Sequence, residues 1–277
     1  MTGRDRIAEG VVFLLAAVFA LIGFGFNGDE RSGYAPPARL PDSLRVVTWN
    51  VGGSGSGGRP LSEEALPAVA STIRQLEPDL VFLQEVASRE QLERLAGRIG
   101  LDDMQSRISQ GDDNRLLGVL ARGGRLRVSQ WPGDPRTMAL FYRPQGKRPL
   151  TAVVLHADAF SARQRNQAIG RAVDLLHAAS RPFPRILAGD LNLDLDLGKR
   201  RDLFTDNQHL DVESYNYIAE RLADVAAGTG STAEPDRRLD YIFASREEFE
   251  VLSAGPWKGR RAADMDHDPV VADLRYR

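Results

Sequence analysis

Acidic, amide and imidazole side chains recur at the ends of short apolar runs in this chain. Asn50 closes Leu44–Trp49, Glu85 closes Asp79–Gln84, and His156 closes Leu150–Leu155. Asp190 and Asn192 follow Arg185–Gly189, Asp240 opens Asp240–Phe243, and Asp266-His267 opens Asp266–Val271. Short β-rich runs read as buried strands. One polar group at the mouth of a strand is ordinary, but the same kinds of group at strand after strand imply one shared site. Their chemistry suits a hard divalent cation and a phosphate ester.

Each group has a plainer reading beside the chemical one. A carboxylate such as Glu85 at the end of an apolar strand is costly to bury unpaired, which makes a cation a natural partner; an exposed strand-end acid is the alternative. Asn50 can offer an amide oxygen to a metal or an NH2 group to a phosphate, or simply end a strand in a turn. In Gly189-Asp190-Leu191-Asn192, extended alternation predicts that Asp190 and Asn192 point the same way. An acceptor and a donor side by side can orient a water and hold a phosphoryl oxygen. Asp194 and Asp196 continue the alternation and read as loop acids. His267 needs an orienting carboxylate to work as base or imidazolium, and Asp240 can supply it from another strand. His156 is a second imidazole able to donate to a phosphate oxygen. His177 and His209 read as structural or merely exposed.

These groups need elements to hold them. Ser62–Leu76 has helical spacing in Leu66, Val69, Ala70, Ile73 and Leu76, with Ser62 as cap and Pro78 as stop. Arg89–Ile99 predicts a second helix. Ser161–Ala179 predicts a third, with Ile169, Ala172, Val173 and Leu176 on its apolar face and Arg163, Arg165 and Arg171 off it. Val212–Val225 predicts a fourth. Further strands are expected near Leu116–Ala121, Leu126–Ser129, Met138–Tyr142, Phe249–Ser253 and Val270–Leu274, with Arg143–Pro149 as a hairpin turn before Leu150. Interspersed helices, strands and hairpins predict an α/β sandwich with mixed sheets rather than a purely parallel doubly wound sheet.

A chain of 277 residues suffices for one large domain. Its formal net charge of −2 excludes a global basic field, though not a local patch. With no cysteine, disulfides, thiolate metal sites and a cysteine nucleophile are excluded. Val11–Phe26 is uncharged and follows Arg4 and Arg6; extended back to Ile7 it reaches the roughly 20 residues that cross a bilayer. A membrane anchor or signal segment is expected over residues 1–27, with the remainder extracytoplasmic or secreted, and a buried N-terminal helix is the plainer alternative. Residues 28–43 read as a linker and 44–277 as the folded domain. Gly52–Gly58 is a flexible loop, and no Gly-Lys-Ser/Thr follows to make it a P-loop.

Together and in order, Trp49-Asn50-Val51, Gln84-Glu85, His156, Gly189-Asp190-Leu191-Asn192, Arg238-Leu239-Asp240-Tyr241-Ile242 and Asp266-His267-Asp268-Pro269-Val270 resemble the endonuclease/exonuclease/phosphatase superfamily, with its deoxyribonuclease-I-like fold. The resemblance runs from Leu44 to the C-terminus. It implies a four-layer α-β-β-α sandwich of two mixed sheets flanked by helices, and a phosphoesterase that uses Mg2+ or Mn2+. By resemblance, Glu85 binds the metal with Asn50 and Asp266 beside it. Asp190 would orient the attacking water and Asn192 would bond the phosphoryl group. Asp240 would buttress His267, which contacts the scissile phosphate or assists proton transfer, while His156 contacts phosphate from the opposite side. Either Asp190 or His267 could be the general base. Three positions depart from the pattern: Gly52 stands where some nucleases carry an acidic ligand, Met265 where Ser commonly precedes Asp-His, and Ala157-Asp158 follow His156 in place of the common Leu.

Three basic clusters, Lys199-Arg200-Arg201, Arg237-Arg238 and Lys258-Gly259-Arg260-Arg261, would attract an anionic substrate if they ring the site. Trp257 could stack on a base, meet a lipid interface or lie in the core. The expected function is a metal-dependent phosphodiesterase acting on nucleic acid or a phospholipid headgroup. The alternatives are a phosphomonoesterase for inositol-phosphate-like substrates and a non-catalytic binding module on the same fold. A monomer is expected, with membrane contact through the N-terminal segment.

Overall fold

The computed structural model describes residues 38–53, 60–101, 103–111, 114–130, 134–178, 183–195, 205–259 and 265–277. In chain order the elements are β1 (Ser43–Asn50), α1 (Leu66–Leu76), β2 (Leu80–Val86), α2 (Arg89–Ile99), β3 (Met104–Ile108), β4 (Leu116–Arg122), β5 (Arg125–Gln130) and β6 (Thr137–Arg143). There follow β7 (Leu150–His156), α3 (Ala162–His177), β8 (Arg185–Asp190), α4 (Gln208–Ala219), β9 (Ala223–Asp224), β10 (Asp240–Ala244), β11 (Phe249–Pro256) and β12 (Val270–Tyr276).

The strands form two six-stranded sheets, ordered β11-β12-β1-β2-β4-β3 and β5-β6-β7-β8-β10-β9. Each is mixed: β1 runs parallel to β2 and β7 parallel to β8, and the other pairs are antiparallel. Alternation along the strands separates the layers. Leu44 and Val46 of β1, Leu80 and Phe82 of β2, Ala152 and Val154 of β7, and Ile186 and Ala188 of β8 meet in one core between the sheets. The intervening Val47, Trp49, Val81 and Leu83 face α1 and α2. On the other sheet Val153, Leu155 and Leu187 face Ile169, Val173 and Leu176 of α3 and Ile218 of α4. This is the four-layer α-β-β-α sandwich. Because the central strands are buried on both faces, they read in sequence as continuous apolar runs.

Some local expectations change. Ser62 caps the turn before α1, its Oγ accepting from Ala65 N at 3.1 Å, and the helix itself starts at Leu66. α4 begins at Gln208 because Asn207 caps it, and it ends at Ala219 rather than near Val225. β3 is a half-exposed polar edge strand without the apolar alternation that would announce it. Arg165 is not off the apolar core. It is fully buried and grips Asp211 of α4 with two 2.9 Å bonds, while donating to Asp158 O at 2.9 Å. A bidentate carboxylate is the partner that makes such burial tolerable.

Among the described residues no helix is long and apolar enough to cross a membrane. The segment Val11–Phe26 lies outside the described residues, as do Asp196 and the basic residues Lys199, Arg200, Arg201, Arg260 and Arg261.

Candidate active site

The strand faces that build the core between the sheets also build the site. Asn50 continues the Leu44, Val46 face of β1, His156 the Ala152, Val154 face of β7, and Asp190 the Ile186, Ala188 face of β8. The same apolar seam therefore ends in a polar cap. Register sets the second dimension. His156 pairs with Asp190 across β7 and β8, and Asp190 pairs with Asp240 across β8 and β10. Paired residues share a sheet face, so these three form one row. Sheet packing then sets Asn50 opposite: its Nδ2 donates to Asp190 Oδ2 at 3.0 Å and to Glu85 Oε1 at 3.4 Å.

Glu85 needs a special device. In regular β2 it would share the helix-facing side of Val81 and Leu83. Instead the β2–β4 register slips between Leu83 and Val86, and Glu85 takes a left-handed φ of 62°. Such a bulge re-aims a side chain, and the strain is typical of functional positions. Leu61 N donates to Glu85 O at 2.9 Å and holds the bulge. The carboxylate then lies 3.7 Å from His156 Nε2, which is also 3.7 Å from Asp190 Oδ2.

Gly189 permits the approach of β7 to β8. A Cβ there would sit 1.8 Å from Leu155 O, and the residue has φ +146°. Beyond Asp190 the expected alternation fails. Asn192 has φ 50°, so the strand ends and the chain turns. Its backbone N–H donates to Asp190 Oδ1 at 3.0 Å, and its side-chain Nδ2 donates to Ala157 O at 3.1 Å. Asn192 thus stays beside Asp190 through a tight turn, not through strand geometry. Asp194 lies in the loop beyond β8, as expected, and is buried there.

The third part is the Asp240–His267 pair, joined from Nδ1 to Oδ2 at 2.8 Å. Thr232, which nothing in the sequence singles out, fixes it. Its hydroxyl donates to Asp240 Oδ2 at 2.7 Å and accepts from Leu239 N and Asp240 N at 3.0 and 3.1 Å. Its carbonyl accepts from Asp268 N at 2.7 Å, and Asp268 pairs with Lys258 at 2.7 Å. Asp266, half-buried, stands next to His267, and its carboxylate makes no hydrogen bond among the described residues. Asp190, Asp240 and His267 each offer one ligand atom within 4.8 Å of the others.

Burial and charge drive the two imidazoles apart. Burial pulls His156 down to about 4 against the opposing pull of Asp190, with smaller help from the positive charges of Arg136, His267 and Arg115, so it is neutral at pH 7. Burial also opposes charge on His267, but Asp240, Asp190 and Asp266 overcome it and lift the group to about 10, making it an imidazolium. Burial raises Glu85, and Asp190 adds to it; burial raises Asp190, and Asp240 adds to that. Opposed environments of this kind separate acid from base.

Two described members of the basic clusters are committed elsewhere. Arg238 pairs with Asp224 at 2.6 Å and lies over the Tyr241 ring, Lys258 pairs with Asp268, and Trp257 packs against the core under α1 and α2. The positive charges that do bear on the site are Arg115 and Arg136, isolated arginines that no motif marks. His177 bonds Val173 O from an exposed position, and His209 is exposed beside Glu213.

Residues 47–261 match the Endonuclease/Exonuclease/phosphatase family. The chain belongs to that family, a class whose members are generally phosphoester hydrolases and typically depend on a divalent metal. Among solved structures it is similar to an endonuclease/exonuclease/phosphatase from Beutenbergia cavernae, at 25% identity and TM-score 0.63, covering 85% of this chain and 72% of that one. It is similar also to a mannosyl-6-phosphatase of Bacteroides thetaiotaomicron, at 17% identity and TM-score 0.63, covering 84% and 99%. The human Nocturnin catalytic domain with bound sulfate is alike at 18% identity and TM-score 0.63, covering 85% and 94%. No curated protein matches.

Proposed function

We propose that this protein is a divalent-metal-dependent phosphodiesterase that hydrolyses its substrate by in-line attack of an activated water. The observation that carries the reading is the charge imbalance of the site. Glu85 and Asp190 are buried side by side and both are pushed toward protonation; among the described residues neither makes an ion pair with a Lys or Arg, and the longer-range charge of Arg115 on Glu85 does not offset its burial. Burying paired carboxylates without a cation is costly. A hard ion bound by Glu85, with Asn50 and Asp266 beside it, would offset that cost, and Mg2+ or Mn2+ fits such an oxygen donor set. The compact group Asp190, Asp240 and His267 also has ligand types, but a protonated His267 has no lone pair to give. When bound, the ion would act as a Lewis acid on the phosphoryl oxygens.

The protein's own groups then divide the work. Asp190, with Oδ1 held by Asn192 N and Oδ2 by Asn50, accepts a proton from the attacking water. Its burial makes it a stronger base than an exposed carboxylate. His267, held charged by Asp240, neutralises negative charge developing on phosphorus-bound oxygen. Neutral His156 can donate one hydrogen bond to a phosphoryl oxygen, and Asn192 sits where its amide could do the same. Export or membrane anchoring through residues 1–27 belongs to the same reading, supported by the uncharged run Val11–Phe26. Protease accessibility on intact cells tests it, and a protected, cytoplasmic domain would refute it.

The test is Mg2+-dependent turnover by the full-length chain of DNA, RNA, sphingomyelin, inositol phosphates and bis-p-nitrophenyl phosphate. Diester cleavage that chelator abolishes supports the proposal. Cleavage of monoesters alone would make the protein a phosphomonoesterase. Turnover untouched by chelator, or kept when Asp190→Ala and His267→Ala are combined, would overturn the mechanism.

A further inference from the structure

The outer face of β5 and β6 carries a charge pattern that the candidate active site does not use. Leu126 and Val128 of β5, with Leu140 and Tyr142 of β6, point into the core between the sheets. Alternation therefore turns Arg125, Arg127 and Ser129 of β5 and Arg143 of β6 to the opposite face. On that face α3 packs over Val153, Leu155 and Leu187 of β7 and β8, while Arg125, Arg127, Ser129 and Arg143 are exposed. Arg125 and Arg143 are register partners. Like charges directly opposite each other on a sheet repel. None of the three arginines makes an ion pair among the described residues.

This charge stands at the end of the sandwich where the chain enters the domain. Arg143 leads into the β6–β7 turn, and Lys147 of that turn donates to Ser43 O at the start of β1. Just before β1, Leu40 is 44% exposed, and its carbonyl accepts from Ser43 N and Oγ at 3.1 and 2.8 Å. Two acids of the same end are already paired, Asp79 with Arg39 and Asp42 with Arg275 at 3.0 Å. Unbalanced positive charge and an exposed apolar side chain thus share one end of the fold. Residues 27–37 separate Ala38 from the uncharged run Val11–Phe26. Fully extended, a segment of that length reaches about 40 Å. Such a tether holds a domain at high local concentration beside any bilayer that carries the run.

We propose that the face made by Arg125, Arg127 and Arg143, with Leu40 at the same end, docks the folded domain on an anionic phospholipid bilayer. Clustered basic side chains are drawn to anionic headgroups, and an apolar side chain beside them enters the interface. A nucleic acid would answer the charge but not Leu40. The inference rests on the anchor reading of residues 1–27 and goes beyond it, because the domain itself meets the lipid through a fixed face. Arg125 and Arg143 lie at the strand ends opposite those that carry His156 and Asp190, so docking leaves the catalytic groups untouched.

The experiment uses the full-length chain with vesicles of phosphatidylcholine alone or mixed with phosphatidylglycerol. The chain has no cysteine, so Ser129→Cys on the proposed face and Glu93→Cys on the exposed side of α2 each give a single labelling site. A fluorophore at either site is quenched by lipids spin-labelled at the headgroup when it lies against the bilayer. Position 129 should be quenched on phosphatidylglycerol vesicles, and high salt or phosphatidylcholine alone should relieve it; position 93 should be quenched on neither. Arg125→Gln, Arg127→Gln and Arg143→Gln should each weaken docking about fivefold, and together abolish the quenching at 129. The urea midpoint and bis-p-nitrophenyl phosphate hydrolysis should not change. If the triple variant fails to fold, the salt and lipid dependence of the wild-type chain decides. Quenching at 129 no stronger than at 93, or indifferent to lipid charge and salt, would overturn the docking face. A single-stranded oligonucleotide that shields position 129 where anionic vesicles do not would assign the face to nucleic acid instead. Flotation with phosphatidylcholine vesicles tests the anchor separately: a chain that stays behind refutes the anchor, and quenching on anionic vesicles still decides the face.

Discussion

Replacing Asp240 by Asn isolates the electrostatic centre of the site. The side chain keeps its shape and can still accept from His267 Nδ1, which now lies 2.8 Å from Oδ2. Only the charge goes. In the wild-type protein, that charge and hydrogen bond are the leading reasons the imidazolium persists to about 10 despite a burial that opposes it. Without them His267 should titrate at or below the ordinary 6.5, a fall of about 3.5 or more. At about 1.36 kcal/mol per pH unit this is roughly 5 kcal/mol of interaction. The sign of the linked stability follows. A raised folded-state value contributes stability that is complete below 6.5 and is lost as pH rises through about 10. The wild-type protein should therefore exceed Asp240→Asn most below about pH 6.5 and still strongly at neutral pH, and the gap should shrink as pH rises and close above about pH 10. The assay is an NMR titration of the His267 ring in metal-free protein, with urea unfolding at neutral and alkaline pH. A variant whose His267 still titrates near 10, or a wild-type ring that titrates near 6.5, would refute the reasoning.

Other consequences are separately measurable. The same NMR titration should show His156 neutral down to about 4, whereas a ring titrating near 6.5 would deny its burial. Gly189→Ala puts a Cβ 1.8 Å from Leu155 O, which should force β7 from β8 at a cost of about 3 kcal/mol. Calorimetric Tm should then fall by roughly 6–12 °C, and an unchanged Tm would contradict the β7–β8 packing. Asp211→Ala strands the buried Arg165 and should cost about 3–5 kcal/mol in urea unfolding, far more than an exposed pair. Glu85→Gln should weaken Mn2+ binding, read by calorimetry, by at least about tenfold while leaving the fold intact, and unchanged affinity would move the metal elsewhere.

The sequence showed the site's members more clearly than their arrangement. Asn50, His156, Asp190 and Asp240 were legible because each ends or begins an apolar strand, and strand ends in a layered fold converge. Asp190 and Asn192 do lie together, but the turn at Asn192 was hidden, since nothing in Leu191-Asn192 signals a left-handed residue. The Glu85 bulge was hidden for a similar reason: a register slip depends on β4, which pairs from elsewhere in the chain. Arg165 looked like a solvated helix charge because its partner, Asp211, is distant in sequence. Thr232, Arg115 and Arg136 carry no spacing signal, and only folding gives them a role. Among the basic clusters the reverse holds: adjacency in sequence suggested a positive mouth, while Arg238 and Lys258 are spent on Asp224 and Asp268.

The central claim is that the buried carboxylates recruit a cation and that Asp190 activates water for attack on a phosphodiester. Hydrolysis of bis-p-nitrophenyl phosphate by the full-length chain, followed through chelation, Mg2+ or Mn2+ restoration and the Asp190→Asn substitution, tests it most directly. Activity should be abolished by chelation, be restored by either ion, and fall about 100-fold or more in Asp190→Asn, as expected for loss of a general base. Full activity in chelator, or an Asp190→Asn protein as fast as wild type, would contradict it.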